Sequence, residues 1–178
     1  MKHKQILFIT QAAMIAAIYV VLTYLVNLLG LASGAIQVRI SEALTILPAF
    51  TPAAIPGVFV GCLLSNILTG CALWDVVFGS LATLIGALGT YFLRKNLPLL
   101  LPIPPILANT LIVPFVLQKV YGVPDGIPYL MLTVGIGEII SCGILGLLLH
   151  RALLPFKDTI FATGENDVTP AAKQSARI

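Results

Sequence analysis

Charge is what this sequence has least of. Ten lysines and arginines and seven aspartates and glutamates make up 10% of its 178 residues, against about 25% in an ordinary soluble domain. So few charges leave no polar coat for a water-facing surface. The basic residues stand singly or in pairs, which argues against the cationic, aromatic-interleaved stripe of a nucleic-acid binder. The three cysteines, Cys62, Cys71 and Cys142, lack CxxC spacing, which argues against a metal or redox pair and makes each a small, buried, inert side chain. There is no GxxxxGK[ST] loop, no HExxH and no GxSxG, so the usual nucleotide-binding and hydrolytic machinery is missing. No arginine-rich helix points to voltage sensing, and no inverted repeat marks a secondary transporter. The expectation is a protein that is no enzyme and holds neither cofactor nor metal.

What the chain has in plenty is apolar: 58% hydrophobic residues and a mean hydropathy of +1.03. A membrane crossing takes about 20 apolar residues at about 1.5 Å each. The first such run is Gln5–Leu29, whose body from Ile6 to Leu29 exceeds the ~7–15 apolar residues of a signal peptide. Pro48, Pro52 and Pro56 each remove a backbone donor, so one straight helix does not pass through them. The reading is a short second helix, Ser41–Phe50, with Ser41 as its N-cap, a turn at "TPAAIPG", and a third helix, Ile55–Leu68. Trp74–Leu93 is the fourth, the proline-rich "NLPLLLPIPP" a connector, Pro105–Lys119 the fifth with a kink at Pro114, and Ile127–His150 the sixth. The fold class is therefore an all-α integral membrane protein, a compact bundle of six transmembrane helices with a proline-broken second helix. Residues 1–156 form the membrane domain, and 157–178 a polar cytoplasmic tail expected to be disordered.

Lysine and arginine placement sets the orientation. With both termini cytoplasmic, Lys2, Lys4, Arg94, Lys95, Arg151, Lys157, Lys173 and Arg177 lie inside, and only Arg39 and Lys119 outside.

The polar residues then gather in the outer half. "VRISEAL" sets Arg39 and Glu42 at the outer mouth, where they either serve a ligand or pair at i, i+3 and pin the loop. Asn27, Asn66 and the Trp74-Asp75 pair lie near the same surface. Glu138, about 11 residues into its helix, is roughly 16 Å down, and Asn109 is at a similar depth. A mid-bilayer carboxylate costs at least about 2.5–3.5 kcal/mol. Glu138 is therefore either functional or neutralised by a proton, by Asn109 or by a neighbouring hydroxyl. Asn109 itself serves a ligand or glues helices. Trp74 is an interfacial belt aromatic or a stacking platform. Ala12, Ala13, Ala16 and Ala17 give helix one a small-residue face in its cytoplasmic half, where a partner helix has room to approach.

The blocks "VRISEALTILPAFTPAAIPGVFVGCLLSNIL" and "ALWDVVFGSLATLIGALGTY" resemble the QueT family, over essentially Lys4 to Pro155. These are substrate-binding (S) components of energy-coupling factor (ECF) transporters, linked to uptake of queuosine precursors. The resemblance implies a six-helix subunit of the bacterial plasma membrane that binds substrate from outside. Its partners are a transmembrane coupling protein and two cytoplasmic ATPases, which supply ATP hydrolysis. It also implies that Ala12, Ala13, Ala16 and Ala17 contact the coupling protein, and that the substrate is a 7-deazaguanine, either a pre-queuosine base or queuine. A deazaguanine offers adjacent N–H donors for one carboxylate (Glu138 or Glu42), a carbonyl for an amide (Asn66 or Asn109) and a flat face for Trp74. A cationic aminomethyl group suits Asp75, and Arg39 completes the set. The alternatives are an S component for another vitamin or purine-like nutrient, and a stand-alone small membrane protein.

Overall fold

The computed structural model describes residues 2–30, 38–95 and 97–161, and every regular element among them is helical. In order they are α1 (Lys2–Leu28), a 3-10 segment (Ile40–Ala49), α2 (Ala54–Leu68), α3 (Leu73–Leu93), α4 (Ile103–Lys119), α5 (Ile127–Glu138), a π turn (Ile139–Leu145), α6 (Gly146–Leu153) and α7 (Lys157–Ile160), with short 3-10 turns at Pro98–Leu100 and Leu154–Phe156. Among the described residues, four stretches are long and apolar enough to cross a membrane: His3–Leu28, Leu73–Leu93, Pro98–Lys119 and Ile127–Ile160. Ile40–Ala49 and Ala54–Leu68 are apolar but shorter.

The radial order is that of a protein solvated by lipid. Leu28, Leu73 and Phe92 are 72%, 75% and 72% exposed, whereas Glu42, Thr83 and Ser141 are at 1%, 0% and 0%. Hydrocarbon offers no hydrogen bonds, so polar side chains turn inward to find each other. An apolar cluster of Ile15, Tyr19, Leu44, Ile46, Leu47 and Val58 closes the bundle below the polar residues.

The second helix is 3-10 rather than α. Pro48 lies inside it, residues 41–48 are all buried, and Glu42 N donates to Arg39 O at 2.9 Å. At about 2.0 Å of rise per residue, ten residues reach about 20 Å. This carries the segment deep into the bundle with few residues. Ser41 is not its cap: the segment starts after an extended Arg39 with no side-chain cap bond, and the Ser41 hydroxyl accepts from Thr23 Oγ1 at 2.8 Å.

Small residues let the helices touch. A Cβ on Gly57 would lie 2.9 Å from Ile15 Cβ, and one on Gly61 would lie 2.7 Å from Tyr19 Cβ. Those glycines meet the Ala12 and Ala16 face of α1, so α1 and α2 pack backbone to backbone. Gly86 and Gly89 of α3 receive Pro105 and Pro104 of α4 in the same way. Gly70, at φ +76, takes the left-handed turn that ends α2.

The last crossing, expected as one regular helix over Ile127–His150, is widened by the π turn and runs on to Leu153. The widened turn delivers Ser141 and Cys142 to the 3-10 segment, where Ser141 Oγ accepts from Arg39 N at 3.1 Å and Cys142 Sγ lies 3.5 Å from Thr45 Oγ1. Of residues 157–161, assigned to the tail from sequence, 157–160 are exposed and Phe161 packs on the bundle, stacked on Phe50 at 5.2 Å and 7°. The rest of the tail, 162–178, lies outside the described residues, as does the loop 31–37.

Candidate functional site

A cavity of about 360 Å³ opens where α1 and α4 end and α3 begins. Its wall carries Tyr19, Asn27, Arg39, Ser41, Asn66 and Asp75, with Tyr121 at the rim. Asp75 is 5% exposed. Its Oδ2 accepts from the Tyr121 hydroxyl at 2.9 Å, and the Tyr121 hydroxyl oxygen in turn accepts from Ala72 N at 3.1 Å. Partial burial, with the Asp75 carboxylate adding to it, pushes the Tyr121 phenol up to about 12. The phenol therefore stays a donor at neutral pH. Asp75 Oδ1 and Asn66 Nδ2 both border the bare face of Gly79, each 3.3 Å from where a Cβ would sit. A carboxylate and an amide thus share one side of the cavity. Burial alone would disfavour the Arg39 charge, but the Asp75 carboxylate, foremost among several neighbours, holds the guanidinium above its ordinary pKa.

Below the cavity lies a second, closed polar group. Glu42 reaches inward from the 3-10 segment, and its Oε1 accepts from the Tyr19 hydroxyl and from Thr83 Oγ1 at 3.2 Å. Glu42 Oε2 has no hydrogen-bond partner among the described residues. Glu138 Oε2 accepts from Cys142 Sγ at 3.2 Å. One oxygen of each carboxylate and the Cys142 sulfur lie within 4.8 Å of one another. Asn109 of α4 adjoins Glu138, 3% exposed, and its Nδ2 is also without a partner among the described residues. Tyr19 joins the two levels, lining the cavity while holding Glu42.

The seven sequence-predicted site residues fall into three places. Arg39, Asn66 and Asp75 line the cavity. Glu42, Asn109 and Glu138 meet in the buried group, as the depths of Asn109 and Glu138 predicted. Glu42 was expected at the outer mouth beside Arg39; its side chain bonds to Tyr19 and Thr83 instead. Trp74 stands apart. It is 59% exposed, stacks on Phe78 at 5.9 Å, and lies on an outward groove with Lys119. Successive helical side chains diverge by about 100°, so a helix that turns Asp75 into the cavity turns Trp74 away from it. Of the four alanines, Ala12 and Ala16 face α2, while Ala13 and Ala17 are exposed.

Sequence reasoning missed Tyr19, Thr83, Tyr121 and Cys142. Hydroxyls in apolar helices carry little signal, and Cys142 was read as inert. Its spacing of four from Glu138 was the one legible hint, since such residues share a helix face.

The model of the QueT transporter family matches residues 9–155. The chain belongs to the QueT transporter family. A queuosine precursor transporter QueT from Lactococcus lactis subsp. cremoris (strain MG1363) is 38% identical over 86 residues, 48% of this chain and 50% of that relative. The match therefore spans half the length of that curated QueT protein. No solved structure matches the chain significantly. Membership of QueT, together with four membrane-length helices, makes this a multi-pass membrane protein.

Proposed function

We propose that the protein is the substrate-binding component of an ECF-type importer, capturing a queuosine precursor from outside the cell. The observation that carries this reading is the polar cavity at one end of an otherwise apolar bundle, with Asp75, Arg39 and Asn66 in its wall. Arg94 and Lys95 close α3 at the end opposite Asp75, and Lys4 lies at the far end of α1 from Asn27. By the positive-inside rule that end is cytoplasmic, so the cavity faces outward in a six-span, N-in, C-in topology. At about 360 Å³ it is near the small limit of ligand pockets, ~300–1,000 Å³. That size suits a bicyclic base better than a nucleoside.

Asp75 is the group for a cationic aminomethyl substituent on such a base. Purified protein should therefore bind 7-aminomethyl-7-deazaguanine, and Asp75→Asn should weaken that binding by about 1.5–3 kcal/mol while leaving unsubstituted 7-deazaguanine nearly unaffected. Equilibrium binding with both ligands checks this. Competition by a vitamin but by no deazaguanine would sink the substrate assignment.

The chain carries no motif for ATP hydrolysis, so uptake calls for partners: a coupling protein and two ATPases. The exposed Ala13 and Ala17 make the contact surface. Ala13→Trp should abolish co-purification with the coupling protein and leave ligand affinity intact, because Ala13 is remote from the cavity. Retained assembly would remove α1 as the docking face, and flux through the isolated protein in liposomes would favour a stand-alone role.

A further inference from the structure

α3 and α4 wall one side of the cavity, and the same two helices carry a second hollow on their outward face. α3 turns Asp75 into the cavity and Trp74 away from it; α4 turns Leu117 into the cavity and Lys119 away. The outward hollow is a groove of about 890 Å³, against about 360 Å³ for the cavity. Its walls are two stripes at helical spacing, Trp74, Phe78 and Ile85 on α3 facing Leu111, Phe115 and Lys119 on α4. Ile85, Leu111 and Phe115 are about half exposed. Beneath the groove the two helices close on each other, since a Cβ on Gly86 would lie 2.6 Å from Pro105 Cα.

The groove changes character along its length. Its deep part is apolar, whereas Lys119 and Trp74 stand at one end, where α4 finishes and α3 begins. Lys119 is exposed, and no hydrogen bond or ion pair joins it to another described residue. The acid nearest Trp74 in sequence, Asp75, is buried on the cavity side and held by Tyr121. An ammonium at the end of an apolar trough suits an amphiphile with an anionic head. From Trp74 to Ile85 the helix advances about 16 Å, and one leaflet of the hydrocarbon core is about 15 Å deep. The trough is therefore as long as one leaflet is thick. Tryptophan settles at the headgroup level, and lysine reaches up to it along its apolar stem.

We infer that this groove is a selective site for an anionic phospholipid, with one acyl chain along the trough and the headgroup phosphate against Lys119. A zwitterionic lipid fills the trough equally well but brings its own cation beside Lys119, so the lysine sets the preference. The bound chain backs the α3–α4 wall of the cavity from the lipid side. That the lipid comes from the outer leaflet rests on the topology of the proposed function; the site itself does not.

Native mass spectrometry of the purified protein, offered phosphatidylglycerol and phosphatidylcholine in equal amounts, should show phosphatidylglycerol retained in preference. Lys119→Gln should cut that preference about fivefold. Leu81→Trp fills the groove midway and should reduce retention of both lipids. Both positions are exposed, so neither change threatens the fold. A phosphatidylglycerol with a photoreactive acyl chain should crosslink within residues 74–85 and 111–120. Equal retention of the two lipids, a Lys119→Gln protein as selective as wild type, or a dimer that covers the groove and excludes lipid would overturn the site. In intact cells a membrane-impermeant amine reagent should modify Lys119 and spare Lys95 and Lys157. The reverse pattern would overturn the outer-leaflet assignment, and the outward-facing cavity with it, while the lipid preference is decided separately on the purified protein.

Discussion

Gly86→Val is expected to pull α3 and α4 apart. A Cβ on Gly86 would lie 2.6 Å from Pro105 Cα and 2.7 Å from Pro105 Cβ, and neither atom has a rotamer through which to retreat. Pro105 is buried, held where α4 begins beside Pro104. The whole helix must move, which places the cost at or above the top of the ~1–3 kcal/mol range for overpacking. For a chain of this size that corresponds to a fall in Tm of roughly 6–12 °C, to be read by a thermal melt in detergent. Gly135→Ala is the control: its Cβ would meet Thr110 at an ordinary 3.5 Å, and little change is expected. A Gly86→Val protein as stable as wild type would contradict the packing of α3 on α4.

Tyr19→Phe should have the second large effect, and on two readouts at once. The substitution keeps the ring and removes the hydroxyl that donates to Glu42. Glu42 would then keep Thr83 Oγ1 as its donor, at 3.2 Å, with its second oxygen already unpaired. Leaving a buried acceptor short of a donor costs about 1–3 kcal/mol. Since Tyr19 also lines the cavity, ligand affinity should fall along with Tm. Combining it with Thr83→Val should lose more than the sum of the singles, because the two hydroxyls serve one oxygen. Strict additivity would mean that they act independently.

Much of the bundle was legible because lipid imposes a simple rule. Long apolar runs had to be helices, and the ends of α2, α3 and α4 fall within two residues of those read from sequence. The depth argument for Asn109 and Glu138 worked for the same reason, since rise per residue converts position into height. The azimuth was harder. Trp74 and Asp75 are neighbours in sequence but face different surroundings, one exposed and one buried, and the 3-10 winding at Ile40–Ala49 turns Glu42 inward, away from the mouth. Neither event leaves a mark in hydropathy. Ala12 and Ala16 read as a docking face until α2 supplied Gly57 and Gly61 to fill it. A small-residue stripe announces that something comes close without saying whether it belongs to the same chain.

The π turn at Ile139–Leu145 has a consequence for how this stretch can change in length. It accommodates one residue more than the regular coil on either side of it. Deleting a single residue there restores the tighter winding and leaves Gly146–Leu153 seated on the 3-10 segment, whereas a deletion within the regular coil of α5 rotates all that follows by about 100°. Within this crossing, a one-residue difference in length among relatives should therefore fall in this window and not in the regular coils that flank it.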